Sequence, residues 1–199
     1  MGCEITGNDK RPWWRFLLYD YSLNIGDCKM SMKKKGAGIV CAVSVIIGIV
    51  TAQYSGEIRT GKDGLEIIGN AESCRRDPYM CPANVMTNGI GNTHGVEPKK
   101  ILTDQEIAKD WVENIKKAEW CVNKYANGEN LRQGPFEAAT SIVFNAGCGN
   151  MKDSTMFRQF RAGKVNQACE QFPRWVYAGG VKLKGLENRR IKERQLCLK

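Results

Sequence analysis

Glu72, Cys81 and Thr87 are the residues whose types and spacing could support hydrolysis. Glu72 closes a short amphipathic run, 64–72, in which Leu65, Ile68 and Glu72 recur at helical spacing. A carboxyl group at a helix C-terminus feels the negative end of the dipole, which favours its protonated form. A general acid working at neutral pH needs that property. Cys81 follows nine residues later and Thr87 six after that, through a stretch whose turns can carry polar groups back across a cleft. Taken singly, Glu72 also reads as a solvated carboxylate, and Cys81 as a core thiol or half of a disulfide.

The elements that must position these groups follow from pattern. Pro78 and Pro82 interrupt helix after Glu72. The stretch 85–96 carries an Asn88-Gly89 turn signal plus Gly91 and Gly95, which predicts a small β-hairpin or irregular sheet. Thr103 and Glu106 make a capping box, and Leu102 can staple to Ile107. Ile107, Trp111, Ile115, Ala118, Val122 and Tyr125 then continue at helical spacing. A further helix starts near Pro135 and stops at Gly147. Shorter helices are expected over 155–162, 165–172 and 186–196. The sum is an α+β domain with a small β lobe and a mostly helical remainder.

Charge and cysteines narrow the setting. The chain has 199 residues and a net charge of +9. Residues 1–29 balance four basic against four acidic side chains, so the excess lies beyond them. A basic domain suits a polyanion, either nucleic acid or the anionic bacterial envelope. There is no zinc-finger spacing, glycine-rich phosphate loop or RNA-binding aromatic motif, which argues against nucleic acid. Nine cysteines point to an oxidising compartment.

The N-terminal part reads as three pieces. Residues 1–32 make a poor domain and read as an extension, because Met30 and Met32 stand just before Lys33-Lys34-Lys35. Lysines followed by an apolar run begin an export signal. Residues 36–56 carry no charge and are expected to cross the inner membrane, giving a signal-anchor over 33–56 ahead of a domain at 57–199. The span is weak, because Gly36, Gly38, Ala42, Ser44 and Gly48 add little transfer energy. The lysines keep the domain outside that membrane. A signal peptide cleaved after Ala52, or a helix buried in a soluble core, are the alternatives.

The sequence resembles the phage-type lysozymes, glycoside hydrolase family 24. Their signature is Glu, eight residues, Asp or Cys, five residues, Thr, matched by Glu72, Cys81 and Thr87. Gly89-Ile90-Gly91, Phe144-Asn145-Ala146-Gly147, 175–180 and Gly185-Leu186-Glu187-Asn188-Arg189-Arg190 extend the similarity over about residues 63–198. Cys41, Cys74 and Cys81 resemble the signal-arrest-release endolysins that carry a cysteine in the anchor.

The resemblance implies a lysozyme-like fold. It also implies hydrolysis of the β-1,4 bond between N-acetylmuramic acid and N-acetylglucosamine in peptidoglycan, for host lysis. Glu72 would protonate the leaving oxygen, Thr87 would hold the attacking water, and Arg189 would pair with the acid. Asn145 would bind substrate. Cys81 replaces the usual second carboxylate. A thiol titrates near about 8.5 unless stabilised, and Arg75 and Arg76 could lower it. His94 has no implied role, and Asn92 stands where many relatives have histidine. A Cys74–Cys81 bond would lock the enzyme until Cys41 leaves the lipid and exchanges with Cys74. The other cysteines would pair as Cys121–Cys148 and Cys169–Cys197. The picture is a monomer with no cofactor or metal, held at the host inner membrane and released to the periplasm. A tethered, inactive peptidoglycan-binding protein is the alternative, though intact Glu72 and Thr87 argue against it. A lytic transglycosylase is the enzymatic rival, and a holin would need more than one candidate span.

Overall fold

A computed structural model describes residues 38–72, 74–80, 86–178 and 180–199. The expected extension at 1–32, the lysine triplet and Cys81 lie outside the described residues. The chain runs α1 (Val43–Gln53), α2 (Lys62–Ala71), β1 (Cys74–Met80), β2 (Met86–Ile90), α3 (Asp104–Ala126) and α4 (Gln133–Ala146). Short helices α5 (Cys148–Met151), α6 (Thr155–Arg161) and α7 (Val165–Cys169) follow. A two-residue hairpin, β3 (Tyr177–Ala178) and β4 (Val181–Lys182), precedes α8 (Lys184–Cys197).

Helix α4 is the hub. Every residue from Pro135 to Ala146 is buried, and α2, α3 and α8 pack around it. Helix α3 forms as its sequence predicts. The Thr103 side chain accepts from the Glu106 N–H, and the Glu106 side chain returns to Thr103. Ile107, Trp111, Ile115 and Val122 line its buried face.

Two carboxylates that pattern did not single out fix the start of α2. Glu137 Oε1 and Oε2 accept from the N–H groups of Gly61 and Gly64, at 2.8 and 3.0 Å. Glu119 Oε1 accepts from the N–H and the hydroxyl of Thr60, both at 2.6 Å. Helix N-termini leave such donors unpaired, and a carboxylate there also complements the dipole.

The apolar segment departs from the expected span. Among the described residues no helix is long and apolar enough to cross a membrane. Helix α1 has 11 residues, about 16 Å at 1.5 Å per residue, against a hydrocarbon core of about 30 Å. Ile46 and Val50 are fully buried and Ile47 nearly so, packed on α2 and α3. The small residue that lets α1 sit close is Gly69 of α2: a Cβ there would fall 2.6 Å from Val43 Cγ1 and 3.2 Å from Trp111. Ala42, Ser44 and Gly48 face outward. In this structure residues 43–53 are part of the packed body.

The hairpin also differs from expectation. Its first strand is β1, which contains Pro78. The antiparallel register pairs Cys74 with Ile90 and Tyr79 with Thr87, and it is irregular between Arg75 and Tyr79. Proline has no N–H to give a ladder, so it is tolerated at such an irregularity.

Candidate active site

Glu72 is the C-terminal cap of α2, in extended conformation, and its N–H donates to Gly69 O. Its side chain is only 11% exposed. Arg189 of α8 is the cation against it, with Nη1 3.2 Å from Oε1. Burial pushes the carboxyl above its ordinary range, and the Arg189 charge and hydrogen bond oppose that shift without cancelling it. Loss of solvent therefore supplies the main driving force for protonation.

Arg189 is itself held from several sides. Its Nε donates to Glu193 Oε1 at 3.1 Å, and its Nη2 donates to Ser141 O at 3.1 Å. The Ser141 hydroxyl donates to the same Glu193 oxygen at 2.6 Å. Glu193 is fully buried, and its other oxygen lies 3.0 Å from Arg190 Nη1. Arg190 donates to Asn145 Oδ1, and burial pushes its pKa down to about 10. Asn145 is buried and its Nδ2 has no hydrogen-bond partner among the described residues. The structure thus sets the Asn145 oxygen against Arg190. Arg190 entered only as the end of the terminal motif, and Ser141 and Glu193 were not singled out in the sequence. The only signal was spacing, with Glu193 four residues after Arg189 and three after Arg190.

The base of the hairpin closes beside the acid. Asn88 and Asn92 exchange backbone hydrogen bonds at 2.9 Å, and Gly89 and Gly91 between them both adopt positive φ. Asn92 Nδ2 donates to Asn88 Oδ1 and His94 O, and Asn114 of α3 donates to Asn92 Oδ1 at 3.4 Å. This buried asparagine cluster fixes the turn. It brings Gly91 so near that a Cβ there would lie 3.6 Å from Glu72 Oε2. Thr87 stands in β2, buried, opposite Tyr79. Cys81 lies outside the described residues. The arginines expected to serve its thiol are engaged elsewhere: Arg75 pairs with Asp77, and Arg76 Nη2 sits 2.8 Å from Asp104.

A 290 Å³ cavity lies between the end of α2 and the start of α8, lined by Ile67, Ala71, Asn188, Arg189 and Lys192 among others. A 490 Å³ cavity near Asp153, Arg174 and Trp175 is lined by none of the groups around the acid. Among the described residues three disulfides tie the body: Cys41–Cys74, Cys121–Cys148 and Cys169–Cys197. These include the two pairs the resemblance implied, and Cys74 is bonded to Cys41.

The family model for phage lysozyme matches residues 69–193. The SAR-endolysin of Escherichia phage P1 is 46% identical over 174 residues, covering 82% of this chain and 93% of that protein. The crystal structure of the active form of P1 phage endolysin Lyz superposes with a TM-score of 0.76 at 46% identity, covering 81% of this chain and 96% of that one. The secreted inactive form of the same endolysin reaches 0.51 at 45% identity, covering 70% and 95%. Matched across most of its length by relatives of this kind, and carrying a buried acid clamped by an arginine beside a glycine turn, the chain belongs to the phage lysozyme family and is a glycoside hydrolase of the muramidase type.

Proposed function

We propose that the protein is an endolysin that hydrolyses the β-1,4 bond between N-acetylmuramic acid and N-acetylglucosamine, with Glu72 as general acid. The observation that carries this reading is the Glu72 carboxyl, nearly sealed from water and pushed towards its protonated form. Raising the carboxyl's pKa favours the form that can pass a proton to the leaving glycosidic oxygen. Thr87 and Cys81 take part from the hairpin side, Thr87 by orienting water and Cys81 from the position of the second catalytic group. Purified protein should clear chloroform-treated Gram-negative cells and release reducing, hydrolysed muropeptides. Glu72→Gln should lower the rate about 10²- to 10⁴-fold, the usual contribution of a positioned acid. Anhydro sugar ends in the products would instead assign a transglycosylase.

The same reading includes control by the membrane. Residues 36–56 hold the new chain in the inner membrane, with the domain in the periplasm and Cys74 bonded to Cys81. On release the segment packs as α1, Cys41 bonds to Cys74, and Cys81 is freed. The Cys41–Cys74 bond and the burial of Ile46 and Val50 support this order, as does the better match to an active than to an inactive endolysin. The released enzyme acts as a monomer on peptidoglycan. Cys41→Ser should give exported but inactive protein, and full lysis by that variant would remove the switch.

A further inference from the structure

The stretch ahead of α1 pairs with the edge of β1. Val40 bridges Arg75 in antiparallel fashion. The Arg76 N–H donates to Ile39 O at 2.7 Å, and the Cys41 N–H donates to Cys74 O at 3.1 Å. This register sets Cys41 directly across from Cys74, with Cα atoms 5.1 Å apart. Side chains alternate along a strand, so a slip of one residue would turn Cys41 to the other face. Backbone groups are chemically alike at every position and do not choose a register by themselves. A side chain does so here: Asp77 Oδ1 accepts from the Ile39 N–H at 2.6 Å. Arg75 pairs with Asp77 and lies 4.6 Å from the centre of the Tyr79 ring. It also covers Gly38 so closely that a Cβ there would collide with the guanidinium.

We propose that Asp77, backed by Arg75, is a positioning residue for the activating exchange: it holds the released segment in the register that aims Cys41 at Cys74. The inference rests on the release reading above. In the productive step the Cys41 thiolate attacks Cys74 Sγ. The Cys41–Cys74 bond forms, the Cys74–Cys81 bond breaks, and Cys81 leaves as a thiolate. One disulfide is consumed and one is made, so no outside oxidant or reductant is needed. Attack on the other sulfur would form Cys41–Cys81, expel Cys74 and leave the catalytic thiol tied. Access decides which sulfur is attacked, so strand register separates the active product from a dead one. The Arg75 hydrogen bond, aided by the Ile39 N–H and opposed by slight burial, holds the Asp77 carboxyl below its usual range, which keeps the clamp charged at working pH.

The test uses the full-length chain exported in a Gram-negative host. The membrane is depolarised with dinitrophenol, free thiols are quenched with N-ethylmaleimide at intervals, and disulfides are mapped by non-reducing peptide mass spectrometry. Asp77→Ala should slow the appearance of Cys41–Cys74 roughly tenfold, the weight of one hydrogen bond to a charged group. It should also raise the share of Cys41–Cys81, which a purely structural defect would not do. Gly38→Val should act in the same direction, by displacing the Arg75 guanidinium, while leaving the sequence of β1 unchanged. If both variants exchange at the wild-type rate and product ratio, the clamp is wrong. If the wild-type chain itself never forms Cys41–Cys74 on depolarisation, the release reading falls and the clamp falls with it.

Discussion

Two influences meet on the Glu72 carboxyl: burial raises its pKa, and Arg189 lowers it. Burial wins, so the acid stays protonated above the ordinary 4.5, and turnover should fall only as pH climbs through the raised value. Arg189→Gln removes the opposing charge and should carry that alkaline limb to higher pH, measured as kcat against pH on soluble glycan fragments. The same change strips Glu193 of one cationic partner and should cost about 3–5 kcal/mol in urea unfolding. The sign of the stability effect from Glu72 also follows. The folded chain retains a proton that the unfolded chain has released, so stability falls as pH rises from 4.5 through the folded-state value. Glu72 was legible in the sequence because its spacing to Cys81 and Thr87 is a signature. Glu193 was not, because a charged residue within Glu-Asn-Arg-Arg-Ile-Lys-Glu reads as one more solvated helix position until the fold shows what surrounds it.

Legibility among the elements followed the physics of each signal. Helix α3 could be read because its cap, first turn and apolar face all agree. Strand β1 could not, because Pro78 argues against a ladder and the hairpin tolerates it only at an irregular register. The fate of residues 43–53 was open for a deeper reason: hydropathy measures escape from water and does not distinguish lipid from protein core. The structure makes that choice testable. Ile46→Ala should destabilise the soluble, released enzyme by about 2–5 kcal/mol, the range for emptying a buried aliphatic site, as a lower urea midpoint. The buried carboxylates Glu119 and Glu137 were equally hidden, since they bind backbone N–H groups, of Thr60 and of Gly61 and Gly64, that no side-chain pattern records.

Across the whole molecule, the disulfides join neighbouring elements: Cys41–Cys74 ties the stretch ahead of α1 to β1, Cys121–Cys148 ties α3 to α5, and Cys169–Cys197 ties α7 to the last helix. Cys197 ends α8 and is tied to Cys169 of α7 across 28 residues. Because α8 also carries Arg189, this bond restrains the partner of the acid. Replacing both cysteines by serine should cost about 2–5 kcal/mol and should lower kcat as well as the melting temperature, since fraying of α8 loosens Arg189 from Glu72. The loss of kcat should be visible well below the melting transition.

The bare spot that Gly69 leaves for Val43 gives the domain a place to receive a helix that could otherwise stay dissolved in lipid. Moving Ile46, Ile47 and Val50 from hydrocarbon into that seat is a transfer between two dry phases, and dehydration contributes little to it. What favours the protein side is then steric fit, the edge strand and a covalent bond. On the proposed release the segment is a solute shared by two oils, and filling the seat with Gly69→Ala should return it to the membrane without touching a single group that handles sugar.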